Sequence, residues 1–571
     1  MSAPAAAPDP APDPAPISAP PGSSGPGRGP RRGAIAPLRH EDYRNLWGAT
    51  VLSNFGYLIQ GVGAAWLMTQ LTDSATLIAL VQASSALPYM LFALLAGAMA
   101  DIFDRRRLMI AAQGFMLAVS LVLAVIGFMG GLGPWLLLTL TFLIGIGGAV
   151  YNPPWQASQG DLVPRSELPS AVTLNSVGFN LMRGVGPAIG GLIVAAWGAS
   201  AAFALNAASY VPLLAALIRW RGPGPASAPG GRREPFVSAV GAGLRYVVLS
   251  PNLLRVLGRG AFFGFAAIAI LALLPLVAKS HPEGGSMLYG LLLGCYGVGA
   301  ILGAMLNPAI RERLRNETII RLAFVGFAGA ALVLALSRNL WLHGLALLPA
   351  GAAWVLALSL FNVTVQLSTP RWVVARALAL YQTATFGGIA AGSWVWGEVA
   401  TARGWDGALA IAAAVLVGGA VIGLWLRTPD LEALNLDPAN RFREPALALD
   451  LRGRSGPIFV MVDYRIDQAD TPEFLRLMAE RRAIRRRDGA RNWALLRDME
   501  RPERWSESYH IATWDEYVRH NLRRTTSDAA VTEALRALHR GEGDPTVHRM
   551  IERHSVSPQD DVPLVGRPDV V

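Results

Sequence analysis

The sequence predicts an all-α membrane protein with twelve transmembrane helices in two pseudo-repeated six-helix halves, followed by a small soluble α+β ferredoxin-like domain. Hydrophobic residues make up 52% of the 571 residues and charged residues only 16%, whereas about a quarter of a typical soluble protein is charged. The deficit lies in residues 46–427, and residues 428–571 have an ordinary soluble composition. An internal repeat without gaps relates residues that are 206 positions apart, and it predicts that the membrane part is divided into two similar halves.

The repeat is clearest where charged residues follow an apolar run. Gly97, Asp101 and Arg105 recur as Gly303, Asn307 and Arg311. The same offset relates further pairs: Trp135 and Trp341, Pro164 and Pro370, Gly186 and Gly392, Gly191 and Gly397, and Gly198 and Gly404. A membrane part built twice is the plan of many secondary transporters.

The membrane part is predicted from apolar stretches of about 20 residues, the length that crosses a bilayer. Residues 1–40 form a disordered cytoplasmic tail, because they are rich in Ala, Pro, Gly and Ser and lack the apolar core of a signal peptide. The halves occupy 41–220 and 253–427, and a central cytoplasmic loop, 221–252, separates them. The twelve predicted spans are roughly 46–70, 76–100, 108–130, 135–154, 171–197, 201–220, 254–278, 287–308, 319–337, 340–366, 372–397 and 406–427.

Arginine fixes the predicted orientation, since cytoplasmic loops retain positive charge. The loops after spans 2, 4, 8 and 10 carry arginines, as do the amino-terminal tail and the central loop. The opposite loops of the first half contain no Lys or Arg, and those of the second half hold only single bases. We therefore expect a multi-pass protein of a bacterial inner (plasma) membrane with both termini cytoplasmic.

The soluble part is predicted as a linker over 428–456, an α+β domain over 457–542 and a flexible tail over 543–571. Strand-like, helical, two strand-like and again helical segments follow one another in the domain, and this βαββα pattern suggests a ferredoxin-like half barrel. The basic run Arg481–Arg487 is interpreted as one solvated helix face and not as a nucleic-acid site. The domain is a candidate for regulation or self-association.

The segment Gly97-x-x-x-Asp101-x-x-x-Arg105-Arg106 resembles the signature loop of the major facilitator superfamily. It departs from that pattern at Ile102 and Asp104. The resemblance implies that the loop, with its degraded second copy at Gly303, Asn307 and Arg311, is a conformational latch that holds the halves in the outward-open state. The alternative is simple retention of positive charge on the cytoplasmic side.

Span 5 contains Gly186-Pro187-x-x-Gly190-Gly191, which resembles a motif of drug:proton antiporters in the same superfamily. Small residues at this spacing let helices approach closely. Helix packing and a specific antiporter gate remain equal interpretations of this motif.

Arg183 lies in the middle of the apolar fifth span, where an isolated charge costs several kcal/mol. It is interpreted as a group that binds substrate, an anion or a carboxylate, and the alternative is a structural bond to backbone carbonyls. Acidic residues are nearly absent from the membrane centre, so proton antiport is implied by the family resemblance alone. The other candidates for substrate contact or coupling are Asn54, Asn175, Asn180, Gln382 and Asp161.

The run Tyr151-Asn-Pro-Pro-Trp155-Gln-Ala and the soluble extension resemble the branch of the superfamily related to the enterobactin exporter. The extension also resembles antibiotic-biosynthesis monooxygenases. The resemblance implies a secondary active transporter, not an enzyme, that exports siderophores, drugs or other amphiphilic small molecules by alternating access, with proton antiport. The expected partners are that substrate, protons and the bilayer, without nucleic acid, cofactor or metal.

Two alternatives remain open. One is a membrane-anchored oxygenase or sensor that acts through the soluble domain, and the other is an importer of the same superfamily. The sequence contains no G-x-x-x-x-G-K-[ST] loop, which argues against pumping driven directly by ATP.

Overall fold

The computed structural model describes residues 35–553 except 165, 222–235, 283, 371, 429–435 and 440–441. The side chains of residues 98, 101, 102, 180 and 236–239 lie outside this description. Six helices form the first half: α1 (Glu41–Leu71), α2 (Ala75–Ile102), α3 (Arg105–Phe128), α4 (Pro134–Leu162), α5 (Leu168–Trp197) and α6 (Ala199–Arg219).

The second half follows an amphipathic helix in the central loop, α7 (Phe236–Val248). Its own helices are α8 (Pro251–Lys279), α9 (Ser286–Arg313), α10 (Asn316–Leu336), α11 (Leu340–Leu367) and α12 (Val374–Ile422). Its core is aromatic: the ring of Phe263 on α8 contacts the rings of Phe324 and Phe327 edge-on, at centroid distances of 5.0 and 5.5 Å.

Ten of the described helices are long and apolar enough to cross a membrane. One of them, the 49-residue α12, contains two helical segments that meet at Gly404, where φ is 79°. Gly198, its repeat equivalent, has φ 81° and separates α5 from α6, and glycine adopts such a φ without steric cost. With the 31-residue α1, these helices account for the twelve predicted spans, and the predicted fold class is confirmed.

The soluble domain consists of β1 (Ile458–Arg465), α13 (Thr471–Arg487), β2 (Arg491–Arg497), β3 (Arg504–Ile511), α14 (Trp514–Leu522), α15 (Thr526–Ala537) and β4 (Thr546–Ile551). The strand order is β2-β3-β1-β4, and all three pairings are antiparallel. The βαββαβ succession with this order is the ferredoxin-like arrangement. Alternate residues of β1, such as Val460 and Val462, are buried in the core of the domain.

Three parts of the chain differ from the sequence prediction. Strand β4 lies within 543–571, which the sequence assigns to a flexible tail, and it pairs with β1 over six residues. The predicted linker is not simply a spacer, because Phe442, Leu447 and Leu451 pack against the core of the domain. At the amino terminus, residues 36–39 of the predicted disordered tail form a 3-10 turn. Residues 1–34 and 554–571 lie outside the described residues.

Candidate functional site

Close helix contacts through small residues join the two halves, along α5 and α9 and along α2 and α12. A Cβ atom on Gly191 of α5 would lie 2.6 Å from the carbonyl oxygen of Ser286 and 2.7 Å from the Cα of Gly290. A Cβ atom on Gly397, the repeat equivalent on α12, would lie 2.7 Å from the Cα of Thr76 on α2. Such approaches of backbone to backbone are the use of small residues in membrane helices. The repeat therefore places equivalent glycines at equivalent contacts between the halves.

The span-5 motif is shared between two neighbouring helices. Cβ atoms on Gly186 and Gly190 would lie 3.2 Å from the nearest atoms of α1, within the same half, whereas Gly191 faces α9 of the other half. Pro187 lies inside α5, and its carbonyl oxygen approaches α9, 2.7 Å from a Cβ built on Gly290. The motif thus packs α5 against α1 of its own half and against α9 of the other half.

Three hydrogen bonds between the halves lie at the end of the bundle where α1 ends and α2 begins. Lys279, the last residue of α8, donates from Nζ to the carbonyl oxygen of Thr69 at 2.8 Å and to Asp73 Oδ1 at 3.1 Å. The hydroxyl groups of Thr76 and Thr401 are 3.1 Å apart. The contact of Lys279 is not among the predictions from sequence. The repeat offset was the available signal, because Asp73 and Lys279 are 206 residues apart and occupy equivalent positions of the two halves.

The predicted latch loop lies at the opposite end, and its arginines bind within the first half. Arg105 Nη1 is 3.1 Å from Asp161 Oδ2 at the end of α4. Arg106 donates from Nε and Nη2 to carbonyl oxygens in the last turn of α6, at 2.9 and 2.6 Å. The backbone of Gly97 and Asp101 belongs to α2, but the Asp101 side chain lies outside the described residues. Asp161, a candidate for coupling, thus pairs with Arg105 of the latch loop in this conformation.

The second copy of the loop makes different contacts. A Cβ atom on Gly303 would lie 2.6 Å from the Cα of Ala352 on α11. The Asn307 side chain donates from Nδ2 to Ser359 Oγ on the same helix at 3.3 Å. Arg311 lies in the last turn of α9. These contacts join helices within the second half, so the two copies are not equivalent.

Arg183 lies on α5 beside the second half. Its guanidinium carbon is 5.8 Å from the ring centroid of Trp354 on α11, a cation–π distance. The side chain is half-buried, and it forms no salt bridge among the residues that the structure describes. A guanidinium beside an aromatic face, without a carboxylate partner there, can receive an anionic or aromatic group.

The remaining polar candidates are dispersed over three helices. Asn175 Oδ1 accepts a hydrogen bond from Trp155 Nε1 at 3.1 Å, which fixes the amide to α4. Asn54 on α1 and Gln382 on α12 are half-buried. The Asn180 side chain lies outside the described residues. Among the candidates whose side chains the structure describes, Arg183 is the one with a recorded contact to an aromatic ring of the other half.

The interior of the soluble domain is occupied by an ion network centred on Glu507. This carboxylate has no exposed surface. It is 2.7 Å from Arg481 Nε and 3.1 Å from Arg485 Nε, and it accepts a hydrogen bond from Trp493 Nε1 at 3.1 Å. The interpretation of Arg481–Arg487 as a solvated helix face is wrong for Arg481 and Arg485, which are 6% and 3% exposed. Their partner, Glu507, lies on β3. The residue pattern of α13 alone does not predict a contact with that strand.

The charges of this network set the titration of its members. Burial alone would raise the pKa of Glu507, but the guanidinium groups of Arg485 and Arg481 outweigh it and lower the pKa to about 2. Burial, together with the charge of Arg485, lowers the pKa of His520 well below its ordinary value. Arg485 Nη1 donates to His520 Nε2 at 2.8 Å, so His520 Nδ1 donates to the carbonyl oxygen of Asp488 at 3.2 Å. Both nitrogens of the neutral imidazole are thus engaged.

The membrane part consists of two repeated six-helix halves. They contact each other through glycines and, at one end, through hydrogen bonds. This is the architecture of a two-domain secondary transporter. The sequence profile of the family described as transmembrane secretion effector matches residues 32–557. The chain belongs to this family of major facilitator superfamily transporters, which are not enzymes.

Curated relatives carry the names of exporters. The chain is 23% identical over 269 residues to macrolide efflux protein A of Streptococcus pyogenes, covering 45% of this chain and 66% of the relative. It is 25% identical over 369 residues to enterobactin exporter EntS of Salmonella typhi, covering 63% and 85%. Both names agree with the predicted function of a secondary transporter that exports small molecules.

A solved structure shows the same fold. The POT family transporter PepTSo superposes with a TM-score of 0.56 at 12% sequence identity, covering 68% of this chain and 97% of that one. The predicted membership of the major facilitator superfamily, including the branch related to the enterobactin exporter, is confirmed.

Proposed function

We propose that this protein exports amphiphilic small molecules, of the siderophore or drug type, by alternating access in exchange for protons. Its place is a bacterial inner membrane, with both termini and the soluble domain in the cytoplasm. The efflux names of the relatives support the direction and the substrate class. The distribution of arginine among the loops supports the orientation.

The observation that carries alternating access is the position of the contacts between the halves. The hydrogen bonds of Lys279 and of Thr76 lie at one end of the bundle, while Arg105 and Arg106 of the latch loop bind within their own half at the other end. In the proposed orientation this is a state closed to the outside, with the latch disengaged. Asp101 and its loop would engage the second half, near Asn307 and Arg311, when the transporter opens outward.

Arg183 and Trp354 form the proposed substrate contact. The two residues come from opposite halves, so a ligand between them contacts both halves. Movement of the halves relative to each other therefore changes its contacts. The pair suits an aromatic or anionic amphiphile, because the guanidinium supplies charge and the indole supplies apolar surface. Asn54, Asn180 and Gln382 remain candidates for the cavity wall, and Gly186, Pro187, Gly190 and Gly191 for a gate.

Self-association through the soluble domain is a further part of the proposal. Phe459, Met461, Leu496 and Met550 share the sheet face turned away from the buried residues of β1, as the strand registers place them. Leu496 and Met550 are 54% and 44% exposed. The same registers place the polar residues Asp463 and His548 on this face. A second copy of the same sheet would cover the four apolar side chains.

Transport in inverted membrane vesicles tests the proposal directly. We expect uptake of a macrolide or of enterobactin into inverted vesicles when an imposed proton gradient is present, and its loss when the gradient is collapsed. Uptake only into right-side-out vesicles would mean import. Uptake of neither compound in either orientation would contradict the substrate class and favour a function that acts through the soluble domain.

Replacing Arg183 with glutamine should weaken transport of an anionic substrate about tenfold or more, because a hydrogen bond to a charged group contributes about 1.5–3 kcal/mol. Arg183→Lys keeps the charge and should retain part of the activity. The measurement is the concentration dependence of uptake, with the amount of protein in the membrane determined in parallel. Wild-type affinity and rate in Arg183→Gln would assign the residue a structural role.

A further inference from the structure

A groove of about 410 Å³ runs between the beginning of α1 and the end of α6. Its lining includes Gly48 and Leu52 on α1 and Pro212 on α6, and Leu52 is 44% exposed. Thr50 lies on the opposite face of α1, because residues two apart in a helix point in nearly opposite directions. That face is turned into the bundle, since the hydroxyl groups of Thr50 and Tyr151 on α4 are 3.1 Å apart. The groove therefore lies on the outer, lipid-facing side of the first half.

The register of α1 and α6 shows which residues stand level in this groove. A Cβ atom on Gly63 of α1 would lie 3.1 Å from the Cβ of Ala202 on α6, and one on Gly56 would meet the side chain of Ser209. The two helices are thus antiparallel, and equal numbers of residues separate these contacts on each helix. Continued toward the beginning of α1, the same register places Arg219 beside the second turn of α1.

Two opposite charges line the groove near the membrane surface. Asp42 lies in the first turn of α1, about one helical turn, or about 6 Å, beyond the level of Arg219. Both side chains are exposed, and neither forms an ion pair with the other or with a further residue in the described part of the chain. Trp220 also lines this end, and tryptophan is typical of the headgroup level of a membrane. The two charges are therefore available to a lipid headgroup, with Arg219 nearer to the apolar part of the groove.

The apolar part of the groove has the length of one lipid leaflet. From Asp42 to Leu52, α1 rises by about 15 Å, which is half of the hydrocarbon thickness of about 30 Å. Ala216 and Pro212 form the facing wall on α6. Gly48 leaves the groove open, because a Cβ atom there would have no neighbour within 4 Å. One hydrocarbon chain can lie along this surface.

We propose that this groove binds phosphatidylethanolamine of the bilayer. In this lipid the phosphate is next to the glycerol and the acyl chains, and a primary ammonium forms the free end of the headgroup. Arg219 binds the phosphate, as guanidinium groups commonly do. Asp42, farther from the apolar part, accepts hydrogen bonds from the ammonium, and Asn45 lines the groove beside it. One acyl chain lies against Leu52.

The arrangement of charges distinguishes this lipid from its common alternatives. Phosphatidylcholine carries the same charges, but its quaternary ammonium has no N–H to donate to Asp42. Phosphatidylglycerol has no cation for Asp42, and its net negative charge is repelled by that carboxylate. The groove is formed within the first half, so the proposal depends neither on the direction of transport nor on its substrate.

The test uses the full chain purified from nanodiscs that contain equal amounts of the three lipids. Native mass spectrometry then counts the lipid of each class that stays bound. Gly48→Leu fills the groove with a side chain, and Asp42→Asn removes the charge that recognises the amine. Gly114→Leu is the control for the first variant, because a Cβ on Gly114, inside α3, also has no neighbour within 4 Å. Glu41→Gln is the control for the second, since Glu41 belongs to the same turn as Asp42 and lies outside the groove lining.

We expect the wild type and both controls to retain phosphatidylethanolamine in preference to the other two lipids. Gly48→Leu should lose this retention, and Asp42→Asn should weaken it about threefold, as for the loss of an exposed ion pair. Equal retention of the three lipids, or retention that Gly48→Leu leaves unchanged, overturns the proposal. A preference for phosphatidylglycerol that Arg219→Gln abolishes also overturns it, because the groove would then recognise an anion and not an amine. Elution of each variant at the wild-type position in gel filtration shows that it is folded.

Discussion

Replacing Gly191 with alanine is expected to reduce transport strongly while the protein remains in the membrane. The added methyl group would meet the carbonyl oxygen of Ser286 at 2.6 Å and the Cα of Gly290 at 2.7 Å, and backbone atoms cannot move aside as a flexible side chain can. Overpacking of this kind costs about 1–3 kcal/mol. The cost falls on the state in which α5 and α9 are in contact, so the balance between the two states shifts about 5- to 150-fold.

Gly114→Ala is the matched control for this prediction. Gly114 lies inside α3, and a Cβ atom there would have no neighbour within 4 Å. We expect this variant to transport at the wild-type rate in the vesicle assay, with equal amounts of protein in the membrane. Wild-type transport by Gly191→Ala would show that the α5–α9 contact loosens at no cost.

Replacing Glu507 with glutamine should destabilise the soluble domain by about 3–5 kcal/mol, because removal of one partner from a buried ion pair leaves an uncompensated charge. Here two charges are left, those of Arg481 and Arg485. The measurement is hydrogen exchange of the β1 and β3 amides in the full chain. Glu480→Gln is the control, since it breaks an exposed i,i+4 pair with Arg476, and such pairs contribute at most about 1 kcal/mol. Equal exchange rates in the two variants would contradict the role of the network.

The same carboxylate gives the domain a defined sensitivity to acid. The pKa of Glu507 is lowered from its ordinary value of 4.5 to about 2 in the folded state. Its contribution to stability is therefore complete above the unfolded pKa and is lost as the pH falls from about 4.5 to about 2. Near-ultraviolet circular dichroism of the full chain should show loss of tertiary structure in this window. Glu507→Gln should remove this component of the acid sensitivity.

Sequence periodicity was sufficient for the fold of the membrane part because its signals are local or repeated. An apolar run of about 20 residues determines a spanning helix without knowledge of its neighbours, and the repeat at Gly198 and Gly404 places the same bend in both halves. Strand β4 was missed because it is an edge strand. Val547, Arg549 and Met550 all lie at least partly in solvent, so the segment has no alternating apolar face.

The candidate site was less predictable because its contacts join distant parts of the chain. Arg183 is a candidate from the sequence because a charged residue in an apolar helix is unusual. Its contact with Trp354 is not predictable from the sequence. It likewise gave no partner for Lys279 or for the arginines of α13. Those partners depend on helix rotation and on strand order, which tertiary packing decides.

Lys279 has a consequence for chemistry performed on the intact protein. The sequence contains this one lysine, so apart from the amino terminus an amine-reactive reagent meets a single group. That amine bonds to Thr69 and Asp73 across the boundary between the halves. Because the Lys279 side chain is 43% exposed, a reagent can acylate it and remove its positive charge. The chain therefore offers a single lysine at which a contact between the halves can be perturbed chemically.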